Sequence, residues 1–116
     1  MTVYQVCKAL DAKVVCGETR MDKDVHNACG SDMLSDVLAF VKDQSVLLTG
    51  LCNPQVIRTA EMMDIICIVF VRGKEPDHAM VQLANTLGIT LLTTSHRMFS
   101  ACGLLYEKGL RGGASY

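Results

Sequence analysis

Residues 65–71 read Ile-Ile-Cys-Ile-Val-Phe-Val, seven apolar side chains with no alternation. A strand with one face in water alternates apolar and polar residues, so an unbroken run predicts a strand covered on both faces, as in parallel sheets flanked by helices. The run is far shorter than the ~20 apolar residues that a membrane helix requires. Two further runs, 45–49 and 89–94, lie on either side of it in the chain. Separations of roughly 20 residues, each with room for one helix, suit right-handed strand–helix–strand crossovers.

Each run is followed by a helix start. Asn53-Pro54 offers a cap and a first-turn proline, Pro76-Asp77 does so after Arg72-Gly73-Lys74-Glu75, and Ser95 follows Thr93-Thr94. Apolar stripes come next: Val56, Ile57, Ala60 and Met63; then Met80, Leu83, Ala84 and Leu87; then Met98, Phe99, Cys102, Leu105 and Tyr106. Gly88 and Gly109 stop the last two helices. Upstream, Thr2 caps a helix striped by Val3, Val6, Cys7 and Leu10, ending near Asp11, and residues 12–16 read as a short strand closed by Gly17. A polar loop over 18–24 precedes a strand at 25–29 that ends in Gly30-Ser31-Asp32. Ser31 or Asp32 then caps a helix striped by Met33, Leu34, Val37, Leu38 and Val41. The pattern predicts one small α/β domain over residues 1–111, a mostly parallel sheet of about four to five strands with helices on both faces. Residues 112–116 form a glycine-rich flexible tail. At 116 residues, a second domain is not expected.

Composition excludes several classes of function. Net charge is −1 and no basic run interleaves with aromatics, so nucleic acid is not an expected partner. The start, MTVYQVCKALDAK, has no apolar signal core, and a cytoplasmic protein without membrane contact is expected. The six cysteines lie mostly in apolar segments and read as reduced, buried thiols. There is no Cys-x-x-Cys pair, Walker loop, Gly-x-Gly-x-x-Gly or Gly-x-Ser-x-Gly element, so no cofactor and no metal is expected.

In a parallel sheet all strand-to-helix corners lie at the carboxyl edge, where ligands of such folds bind. The residues brought there are Thr49, Gly50, Cys52 and Asn53; Arg72, Gly73 and Lys74; Thr93, Thr94, Ser95 and His96; and Ser31 with Asp32. Helix N-termini there favour an anion, and Arg72 and Lys74 add to that pull. Read one at a time, the same Thr, Ser and Asn residues are helix caps, the glycines serve backbone geometry, and the charges are solvated. A Cys52–His96 nucleophile pair is a further, remote reading, with no residue evident to orient the histidine.

From Gly30 to Ser95 the chain resembles the DRTGG domain, named for its Asp-Arg and Thr-Gly-Gly corners, and the similarity extends over about residues 1–111. It is similar also to the N-terminal domain of HPr kinase/phosphorylase and to the DRTGG region of phosphate acetyltransferases. Cys52-Asn53 stands where the family has Asp-Arg, and Val71-Arg72-Gly73 stands where it has Thr-Gly-Gly. The resemblance implies a non-catalytic regulatory or oligomerising module. It implies a homodimer, a protein partner encoded nearby, and a small anionic metabolite or nucleotide sensed at the corners. The alternative is a ligand-free interaction scaffold.

Overall fold

The run at 65–70 is the middle strand of a five-stranded sheet. In a computed structural model, which describes residues 1–39 and 43–113, the strands are β1 (Lys13–Cys16), β2 (Ala28–Gly30), β3 (Ser45–Thr49), β4 (Ile65–Phe70) and β5 (Thr90–Thr93). They lie in the order β1-β5-β4-β3-β2, with β2 to β5 mutually parallel and β1 antiparallel to β5. The helices are α1 (Val3–Ala9), α2 (Leu34–Val37), α3 (Pro54–Met62), α4 (His78–Leu87) and α5 (Met98–Glu107), with a 3-10 turn at Glu18–Arg20. Parallel neighbours that follow one another in sequence, joined by crossovers of one hand, place α2, α3 and α4 on the same face.

The core accordingly has two layers, one on each side of the sheet. Leu47, Ile68, Phe70 and Leu91 point to the side of α3 and α4, where Val56, Ile57, Ala60, Met80 and Ala84 meet them. Val46, Leu48, Val69 and Leu92 point to the other side, onto Val3, Val6 and Leu10 of α1 with its C-cap and Ala101 and Leu105 of α5. Every residue of β3 is buried, as an apolar run covered on both faces requires.

Local chemistry fixes the ends of these elements. Thr2 and Gln5 form a reciprocal capping box on α1, with bonds of 3.1 and 2.8 Å. Asn53 accepts from Val56 N–H at 3.2 Å with Pro54 in the first turn, so α3 starts as expected; Asp77 accepts from Met80 N–H at 2.9 Å and caps α4, but Pro76 precedes the cap and lies outside the helix. Gly88 ends α4 in the left-handed conformation. Thr94 Oγ1 donates to Leu10 carbonyl at 2.8 Å and anchors the end of α1 to the sheet. Among the described residues no helix is long and apolar enough to cross a membrane.

Several expectations are corrected. Neither Ser31 nor Asp32 caps α2: its N-cap is Met33, without a side-chain bond, and the helix is only four residues long. Of its expected stripe Val37 is buried while Met33 and Leu38 are exposed; Val41 lies outside the described residues. The strand expected at 25–29 pairs in the parallel ladder at Ala28–Gly30 instead. In α5 the N-cap is Arg97, not Ser95, and Ala101 and Leu105 are buried while Phe99 and Tyr106 of the expected stripe face outward. Of the tail expected at 112–116, residues 114–116 lie outside the described residues.

Candidate functional site at the carboxyl edge

The corners after β2, β3, β4 and β5 meet, as parallel topology requires. The tightest convergence is at Gly50. Its backbone N–H donates to Asp32 Oδ1 at 2.6 Å, and Thr49 Oγ1 lies 3.4 Å from the same oxygen. The Arg72 guanidinium covers Gly50 so closely that a β-carbon there would collide with Nη2 and stand 3.2 Å from Asp32 Oδ1. Only glycine leaves room for this approach, so Gly50 brings a cation and a carboxylate from two corners over one α-carbon.

Arg72 is held there by its backbone. It has φ +61, and Gly73 follows with φ +70. These two left-handed residues close a turn in which Lys74 N–H donates to Val71 carbonyl at 3.3 Å. Arg72 N–H donates to His96 carbonyl and Gly73 N–H to Thr94 carbonyl, both at 2.8 Å, joining the β4 corner to the β5 corner. Thr93 Oγ1 donates to Lys74 carbonyl at 2.6 Å. A left-handed arginine is disfavoured by about 1–2 kcal/mol, and such strain collects at functional sites.

The remaining candidates divide by where their polar groups point. Asn53 is used in capping α3 and Thr94 in the bond to Leu10. Ser31 Oγ accepts from Met33 N–H at 3.0 Å, a local turn. Exposed Arg72, Lys74 and Ser95 and half-buried His96 line the rim, with Asp32 among them. His96 N–H is 3.3 Å from Thr94 Oγ1. Cys52 is half-buried; burial first, and then the Asp77 carboxylate, push its thiol up against a smaller opposing pull from Lys74. A raised thiol is the opposite of an activated nucleophile, and among the described residues no hydrogen bond joins Cys52 to His96. Among the described residues no group of three or more His, Cys, Asp or Glu has metal-site geometry.

Asp32 alters the electrostatic reading of this edge. Its carboxylate occupies the Gly50 N–H that an anionic ligand would seek, and Asn53 and Asp77 cap α3 and α4 with their own oxygens. Of the three helix starts after β3, β4 and β5, the α5 start alone lacks a side-chain cap bond, and it lies beside His96 and Arg97. The positive pull that this edge offers a ligand therefore rests on the exposed side chains of Arg72 and Lys74.

Comparison with known proteins gives a consistent fold. The family model described as the DRTGG domain matches residues 5–107. Among solved structures the chain is similar to the CBS and DRTGG domains of the regulatory region of Clostridium perfringens pyrophosphatase, determined in complex with its activator, diadenosine tetraphosphate. The TM-score is 0.70 at 18% identity, covering 90% of this chain and 45% of that one. This chain therefore spans less than half of that structure, and at this identity the likeness concerns the fold. No curated protein matches the chain.

Proposed function

The chain belongs to the DRTGG-domain family, and from that membership we propose that it is a regulatory module without a reaction of its own. It pairs with a second copy and senses an anionic metabolite or nucleotide at the carboxyl edge of its sheet. The observation that carries the reading is Arg72, held at positive φ with its guanidinium over Gly50. The guanidinium is exposed and, among the described residues, has no side-chain hydrogen bond or ion pair, so it is a free cation lying where two corners meet. The similar pyrophosphatase region was determined with a nucleotide polyphosphate activator, which supports phosphate-bearing ligands as the class to try first. Six free cysteines suit the cytoplasm, where thiols stay reduced. The protein that it regulates is sought among the products of neighbouring genes.

The test is a thermal-shift panel of diadenosine tetraphosphate, mononucleotides and acyl phosphates, run on the wild-type chain and on Arg72→Gln. A ligand at 100 times its dissociation constant stabilises by about 2.7 kcal/mol, which raises the melting temperature by several degrees. The shift is expected in the wild type and is expected to vanish in Arg72→Gln. No shift with any compound at millimolar concentration, or an equal shift in the variant, would count decisively against the sensor. A second reading, the ligand-free scaffold, is favoured by the donors that Asp32, Asn53 and Asp77 already satisfy.

A further inference from the structure

The outer face of α5 is built against ordinary helix chemistry. Phe99 is 90% exposed, on a helix that already buries Ala101 and Leu105. Gly103 lies one turn further along, near the centre of the helix, where glycine is among the weakest helix formers. Nothing in the chain accounts for it: a β-carbon at Gly103 would meet no atom within 4 Å. Gly103 leaves the helix backbone open on its outer side. Phe99 and Gly103 lie on one open face of α5 that extends from His96 before its start to Glu107 at its end.

We infer that this face docks a second copy of the same face, two α5 helices lying antiparallel about a two-fold axis that passes midway between residues 99 and 103. The inference rests on the pairing proposed above and names its surface. A bulky residue and a notch four residues apart are self-complementary under such an axis: Phe99 of each copy covers Gly103 of the other. The same symmetry brings the Glu107 end of one helix to the His96–Arg97 end of the other. That end has no side-chain cap bond and carries the positive end of the helix dipole, so a carboxylate suits it.

Sedimentation equilibrium across micromolar concentrations tests this. The wild type is expected at twice the 12.6 kDa chain mass. Phe99→Glu and Gly103→Leu are each expected to weaken pairing by about 100-fold, the scale of a central contact residue. Circular dichroism of the diluted chains guards against misfolding, because a leucine at 103 enters open space within the monomer and raises helix propensity. Glu107→Lys is expected to weaken the pair, and adding His96→Glu to restore it. A wild type at the chain mass throughout overturns both the pairing and this surface. A pair that persists in Phe99→Glu and Gly103→Leu overturns the surface alone.

Discussion

Replacing Gly17 with alanine separates two costs that usually arrive together. Gly17 leaves β1 at φ +99, where an L side chain loses about 1–2 kcal/mol. Its new β-carbon would also stand 2.9 Å from the Cα and Cβ of Thr90 and 2.5 Å from its Oγ1. Thr90 is 1% exposed and sits on β5 between β1 and β4, so its backbone has nowhere to retreat. Overpacking of that kind adds about 1–3 kcal/mol. The total, about 2–5 kcal/mol, is a large share of the ~5–15 kcal/mol that holds a domain folded. Gly73→Ala provides the control: φ is +70, yet no atom lies within 4 Å, so only the conformational cost of about 1–2 kcal/mol applies. Urea denaturation reads both. With a slope of about 1–3 kcal/mol per M, a 3 kcal/mol loss lowers the midpoint by about 1–3 M. Equal midpoints for Gly17→Ala and Gly73→Ala would refute the argument that Thr90 backbone contact, and not φ alone, fixes glycine at 17.

Gly30→Ala brings a β-carbon 2.6 Å from Cys102 Sγ, so its destabilisation should be largely relieved by adding Cys102→Ala; additive losses in a denaturation cycle would contradict that coupling. Arg72→Gly removes the left-handed strain and should stabilise the ligand-free chain by about 1 kcal/mol while abolishing any ligand-induced shift, as thermal melts with and without ligand would report. Burial, with Cys102 and Asp36 adding smaller pushes, raises the Cys29 thiol from 9.0 to about 11. The unfolded chain therefore binds fewer protons than the folded one between those values, and stability falls as pH rises from 9 to 11; Cys29→Ala should make that slope in denaturation midpoints shallower, the other five raised thiols keeping part of it. Iodoacetamide with mass-spectrometric readout should label half-buried Cys52 and Cys102 before buried Cys67, and none faster than a small free thiol; rapid labelling of Cys52 would revive the nucleophile reading.

The parallel half of the fold is legible because burial on two faces leaves a direct mark on residue order. Seven apolar residues in a row at 65–71 leave no face for water, and Asn53 and Asp77 act on neighbours three residues away. The sequence signal fails where the deciding partner is distant or where two faces compete. In α5, residues 98, 101, 102 and 105 form one apolar face and 99 and 106 lie on another, so hydropathy alone does not say which is buried. Asp32 has the residue type of a cap, and only the fold reveals that its partner is Gly50 N–H, 18 positions on. The meeting of the corners follows from topology. The left-handed turn at Arg72 has no signal except Gly73 behind it, because the backbone of the β5 corner imposes it.

The two margins of the sheet restrict how copies of this chain can meet. β2 contributes only Ala28–Gly30, and Ala28 N–H already donates to Arg111 carbonyl at 2.9 Å, so the last described residues shield that margin. At the opposite margin, β1 runs four residues and its register shifts between Val14 and Cys16, which twists it away from a flat template. Among the described residues, these margins offer a neighbouring molecule no long row of free backbone groups on which to lay a strand. Growth of the sheet into ribbons or fibrils is thereby discouraged, even though half of the residues are apolar. Contact through helices ends once a two-fold partner is seated; a strand-to-strand contact would recruit a third molecule as readily as a second.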